Sequence, residues 1–157
     1  MATSAMTAFS LSAAKIQNQE FREPEILAKL ISRSFPNIPK SKTTLAGWFL
    51  HYGVGFLFCS LYDRLWRKTP LKPALLNGAL VGAASGMVGI LAWKKTLDIH
   101  PAPPHLEIDN YFGHLLLAHV IFGTVAVIPY RKEKLRISTD PSKVSQQKAL
   151  PGPANEQ

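Results

Sequence analysis

The sequence predicts an all-α integral membrane protein, a helical bundle with four transmembrane helices and one amphipathic surface helix. Three observations carry this expectation. Apolar blocks near residues 44–61, 74–93 and 111–129 alternate with short basic blocks, a division that the mean hydropathy of +0.04 conceals. The central block, Ala74–Trp93, runs for twenty residues without a charge. As a helix rising about 1.5 Å per residue it covers roughly 30 Å, the hydrocarbon thickness of a bilayer. Within it Gly78, Gly82 and Gly86 recur every four residues. An interior glycine costs a soluble helix about 1 kcal/mol relative to alanine, whereas in a membrane small-xxx-small spacing lets a second helix approach closely.

Taken in order, Met1–Ala14 is uncharged and rich in small residues, and a first membrane helix is expected over 2–19, the alternative being three spans with an interfacial N-terminus. The next helix, 23–34, has Pro24 in its first turn, where a missing N–H costs nothing. Ile26, Leu27, Leu30 and Ile31 form one apolar stripe, and Glu23 and Glu25 at the start with Lys29 and Arg33 towards the end match the helix dipole. This helix should lie on the membrane surface or pack across the mouth of the bundle. Thr43 or Thr44 can cap a second span over 44–64. Trp48 lies near one end of that span and Tyr62 and Trp66 near the other, as interfacial aromatics do. A loop with Pro70 and Pro73 leads to a third span over 74–95. Pro101, Pro103 and Pro104 then make the connector extended. The last span covers 111–130 and is ended by Pro129. Residues 1–136 thus form the membrane bundle. Residues 137–157 are polar, contain prolines and show no apolar period, so they are expected to form a disordered tail.

The net charge of +8 resides in the connecting blocks. Basic residues beside apolar spans anchor to lipid headgroups and set orientation, so the partner they imply is the lipid bilayer and not nucleic acid. The bundle is narrow, and a homo-oligomer or a membrane partner subunit is a further expectation. Loop 62–73 carries four Lys/Arg and the C-terminal tail six, against two in the connector 94–110, which also holds three acids. The positive-inside rule therefore puts the C-terminus in the cytoplasm, although the six basic residues of 15–43 pull the other way. The lone Cys59 leaves no intramolecular disulfide and no multi-cysteine metal or redox motif.

With helices alternating in direction, the five histidines fall in one half of the protein. His51 lies about 10 Å inside its span and His119 about 12 Å inside the last span, counted from the same membrane face. His114 sits higher on that last helix, five residues and about 140° from His119, and His100 and His105 lie in the connector. A histidine in hydrocarbon is costly unless it meets a partner or a wet cavity. His51, His119, His114 and Tyr52 are therefore the expected polar intramembrane site, and Gly78, Gly82 and Gly86 the expected helix-packing face. No HExxH, CxxC or CxxCH motif, nucleophile elbow, phosphate-binding glycine loop or paired catalytic carboxylate is present, so neither a cofactor nor an enzymatic centre is expected.

Four phrases, AMTAFS at 5–10, FREPEILAKLI at 21–31, HYGVGFLF at 51–58 and GHLLLAHVIFG at 113–123, together resemble small uncharacterised bacterial inner-membrane proteins of the YagU type. The resemblance implies four helices and a bacterial inner-membrane location, and implies no activity. Three functional expectations follow from the residues. The first is a proton- or small-solute-linked transport component using the His51/His119 region. The second is a membrane redox protein in which these histidines hold a haem or a divalent metal. The third is an accessory subunit that docks another helix on Gly78, Gly82 and Gly86.

Overall fold

The computed structural model describes residues 1–17, 19 and 21–132; the polar tail expected over 137–157 lies outside the described residues. Among the described residues all regular structure is helical: α1 (Ala2–Gln17), α2 (Glu23–Ser34), α3 (Lys40–Lys68), α4 (Leu75–Ile99) and α5 (Ile108–Ala126). A turn at Val127 interrupts α5 before the helix resumes over 128–132. Pro129 accounts for the break, since it has no N–H to give the carbonyl of Val125.

Three helices are long and apolar enough to cross a membrane: α3, α4, and α5 continued to Lys132. The chain is a membrane protein whose described residues hold only helices as regular structure. Leu45, Phe49, Phe56, Leu76, Leu80 and Leu91 stand exposed on α3 and α4. Apolar surface on this scale belongs against lipid. α5 is the most enclosed span, with half of its apolar window buried.

The boundaries differ from the sequence reading in ways that follow from local chemistry. α3 begins at Lys40 behind Pro39, ahead of the expected Thr43/Thr44 cap. Thr43 lies inside the helix, where its hydroxyl donates to the Lys40 carbonyl at 2.9 Å instead of capping. At its other end α3 runs on to Lys68, where Arg67 and Lys68 suit a helix C-terminus. α4 stops at Ile99 because His100 precedes Pro101 and is held extended. α2 keeps the expected bounds.

The helices pair as α2 with α3 and α4 with α5, and α1 lies between the pairs, mainly along α5. Both pairs rest on glycine. A Cβ at Gly82 would run into the carbonyl oxygen of His119 and stand 3.0 Å from Val120 Cα. A Cβ at Gly78 would stand 2.7 Å from the Gly123 carbonyl oxygen. At Gly47 it would collide with the Pro24 carbonyl oxygen of α2. The glycine face of α4 is thus filled by α5 of the same chain. That corrects the expectation that Gly78, Gly82 and Gly86 dock a partner helix, because the surface is already covered.

α1 has 16 residues, about 24 Å of helix, and its Thr3 meets Gly55, near the middle of α3. It therefore runs beside the first half of α3. The connector is tied to the end of α2: Arg33 donates to the Ala102 carbonyl at 3.0 Å. His100 Nε2 lies 2.9 Å from Ser34 Oγ and 3.1 Å from the Leu30 carbonyl. α2 packs against α3, with Ile26 and Leu30 buried.

Candidate functional site

A stripe of hydroxyls builds one wall of the site. Thr3, Thr7 and Ser10 follow at i, i+4 and i+7 on α1, and all three are buried. Thr7 donates to the Thr3 carbonyl at 2.8 Å. A carbonyl carries no proton, so the Thr7 hydroxyl proton is committed there. The Thr7 oxygen, 3.0 Å from His51 Nε2, then accepts from an Nε2–H. Three residues on, Ser10 Oγ lies 2.9 Å from His114 Nε2 and 3.4 Å from Glu23 Oε1. The His114 ring is sandwiched by Phe9 at 4.9 Å and Phe21 at 4.4 Å. Carboxyl, hydroxyl and imidazole form one buried chain.

Glu23 is the residue that the sequence reading misplaced. The sequence reading makes it a dipole partner in the first turn of α2; the structure leaves it 3% exposed. Burial pushes its carboxyl up to about 7, against opposing backbone and Ser10 hydrogen bonds. Its Oε2 is buried with no hydrogen-bond partner among the described residues. The signal was present in the spacing: Glu23, Ile26 and Leu30 stand at i, i+3 and i+7, which puts the carboxyl on the apolar stripe.

Beneath α2 lies a cavity of about 290 Å³ that draws walls from all five helices. This is the small end of the range for ligand pockets. Its polar lining is Thr3, Glu23, His51, Thr96 and His119, and the remainder is apolar or glycine, including Met6, Leu27, Phe58, Trp93 and Phe122. α3 and α4 make little contact along their length. Tyr62 crosses between them to Ser85 at 2.7 Å. Val54 on α3 and Val88 and Ala92 on α4 line the cavity and are exposed. The cavity accordingly opens sideways, between α3 and α4, onto the lipid-facing surface.

The expected site residues separate. His51 and His119 line the same cavity. His114 faces α1 and reaches the cavity only through Ser10 and Glu23. Tyr52 is 43% exposed and stacks on Trp48 at 6.2 Å, away from the cavity. His100 is bound to α2 and His105 is exposed. Among the described residues no three His, Cys, Asp or Glu side chains converge as a metal ligand set. With His51 Nε2 given to Thr7, the two histidines do not present a pair of free Nε2 atoms to a haem iron. No protein-family model, curated protein or solved structure matches the chain.

Proposed function

We propose that the protein binds an amphiphilic molecule of the bilayer in the cavity beneath α2, the ligand entering sideways between α3 and α4. One observation carries the reading: the buried side chains of Glu23, His51 and His119 line an otherwise largely apolar cavity whose wall residues Val54, Val88 and Ala92 are exposed on α3 and α4. Hydrocarbon walls suit an apolar body, and a few convergent polar groups suit a head. In this reading the protein sits in a bacterial inner membrane with loop 69–74 and the C-terminus in the cytoplasm, supported by the basic residues Arg64, Arg67, Lys68 and Lys72 around that loop. α1 lies beside the three spans and ends near the middle of α3 without crossing, supported by the Thr3–Gly55 contact and by the burial of Thr3, Met6, Thr7 and Ser10.

The test uses Trp93, which lines the cavity. Amphiphiles with decyl chains titrated into detergent-solubilised protein with Trp48→Phe and Trp66→Phe, which leaves Trp93 as the one tryptophan, should change its emission saturably. Ala92→Phe, which places a ring at the mouth, should abolish the response. A linear, non-saturable response that is the same in both proteins would sink the reading.

A second reading, the proton-linked transport component, is favoured by the chain Glu23–Ser10–His114, in which a proton can pass between carboxyl, hydroxyl and imidazole. Its test is proton flux in proteoliposomes, which Glu23→Gln should stop.

A further inference from the structure

We infer that the cavity selects ligands whose head donates a hydrogen bond, a hydroxyl on an apolar body such as a long-chain alcohol or an alkyl phenol, with His119 Nε2 as the acceptor. This rests on the binding reading above and deepens it.

The argument is an accounting of protons. His119 Nδ1 lies 2.9 Å from the Leu115 carbonyl oxygen, one turn earlier on α5. That oxygen can only accept, so the ring proton sits on Nδ1. In the neutral ring Nε2 is then a lone pair without a proton. It has no hydrogen-bond partner among the described residues, and its residue lines the cavity. No neighbouring polar group among the described residues is hydrogen-bonded to it. His51 gives its Nε2–H to Thr7. Thr96 gives its hydroxyl proton to the Ala92 carbonyl at 2.8 Å. The apolar surround is built by Phe58, whose ring stands at right angles to His119 with centroids 5.8 Å apart.

Room for the ligand head comes from α4. A Cβ at Gly89 would stand 3.3 Å from both Cε1 and Nε2 of His119. Glycine there leaves the approach to the lone pair open, whereas a methyl would crowd it. Gly89 is thus more than a packing residue: it uncovers the acceptor. The second unpartnered group is Glu23 Oε2, nine-tenths or more buried at the same cavity. A ligand carboxylate would bring negative charge beside that carboxyl and a lone pair towards Nε2. An ether or ketone would leave Nε2 unpaired in apolar surroundings, a loss that a hydroxyl avoids.

The experiment compares 1-decanol with 1-methoxydecane, which has the same chain and can accept but not donate. Both are titrated in detergent, at equal micellar mole fraction, into the full chain carrying Trp48→Phe and Trp66→Phe, with Trp93 emission as readout. The alcohol should bind at least about tenfold more tightly, the size expected for one unmade hydrogen bond in a desolvated site. His119→Phe should bring the alcohol down to the level of the ether. Gly89→Ala should do so in part while leaving the fold intact, since alanine is favoured in a helix. Equal affinities for alcohol and ether, or a preference untouched by either variant, would overturn this inference and leave the cavity as a binding site. Saturable binding of neither compound would overturn the binding reading with it.

Discussion

A carboxyl enclosed by hydrocarbon keeps its proton longer than one in water, and Glu23 carries the consequence for stability. Its carboxyl titrates at about 7 in the folded chain against 4.5 for an ordinary glutamate. The folded-state value is the higher one, so its contribution is fully present below about pH 4.5 and is lost as pH rises through 7. Thermal unfolding in detergent should therefore show wild type losing stability between pH 5 and 8 more steeply than Glu23→Gln. Parallel curves would rule the burial effect out. His114 supports a second prediction. His114→Phe keeps an aromatic ring between Phe9 and Phe21 but removes the bond to Ser10. It should cost about 1–2 kcal/mol, whereas Tyr52→Ala at its exposed position should change stability by less than about 0.5 kcal/mol. The histidines were legible in the sequence because an imidazole in an apolar block stands out. The hydroxyls of Thr3, Thr7 and Ser10 were not, because Thr and Ser in a membrane helix can bond their own backbone and signal nothing. Only the tertiary structure says which of them also meets a histidine.

At the level of elements, glycine decides which helices touch. Gly82→Ala places a methyl against the backbone of α5, so both helices must separate, and a loss of about 1–3 kcal/mol is expected. Gly53 and Gly113 have nothing within 4 Å of the same methyl. Gly53→Ala should leave stability unchanged or raise it by up to about 1 kcal/mol. Unfolding of the three proteins in one detergent ranks them, and a Gly82→Ala variant as stable as Gly53→Ala would contradict the close α4–α5 contact. The four-residue glycine spacing announced a packing face but could not name its occupant. Spacing is a property of one helix, and the partner lies 41 residues from Gly82 at Gly123. For the same reason the α3 and α4 spans were readable while the gap between them was not. A gap is the absence of a contact, and composition carries no mark of it.

Across the whole molecule, two helix pairs stand either side of α1. The hydroxyl of Tyr62 bridges them near one end, lying 2.7 Å from Ser85 Oγ and 3.3 Å from the Val81 carbonyl oxygen, to which it donates. The loop 69–74 and the connector 100–107 lie on opposite faces, separated by the single crossing of α4. In a Cys59→Ser background, an impermeant maleimide added to intact spheroplasts should label Pro103→Cys, and should label Thr69→Cys only after permeabilisation. The reverse pattern would invert the orientation, and equal labelling from one side would remove α4 as a span. The place of α1 also bears on how the chain is made. Ser10 bonds His114, 104 residues further on. At about 5–20 residues per second of synthesis, Ser10 waits roughly 5–20 s for its partner to emerge. During that interval α1 can pair Thr7 with His51 of α3, while Ser10 stays without the histidine it meets in the folded chain. α5 is then the element that completes the surroundings of α1, and a ribosome stalled before residue 114 leaves α1 held chiefly by α3.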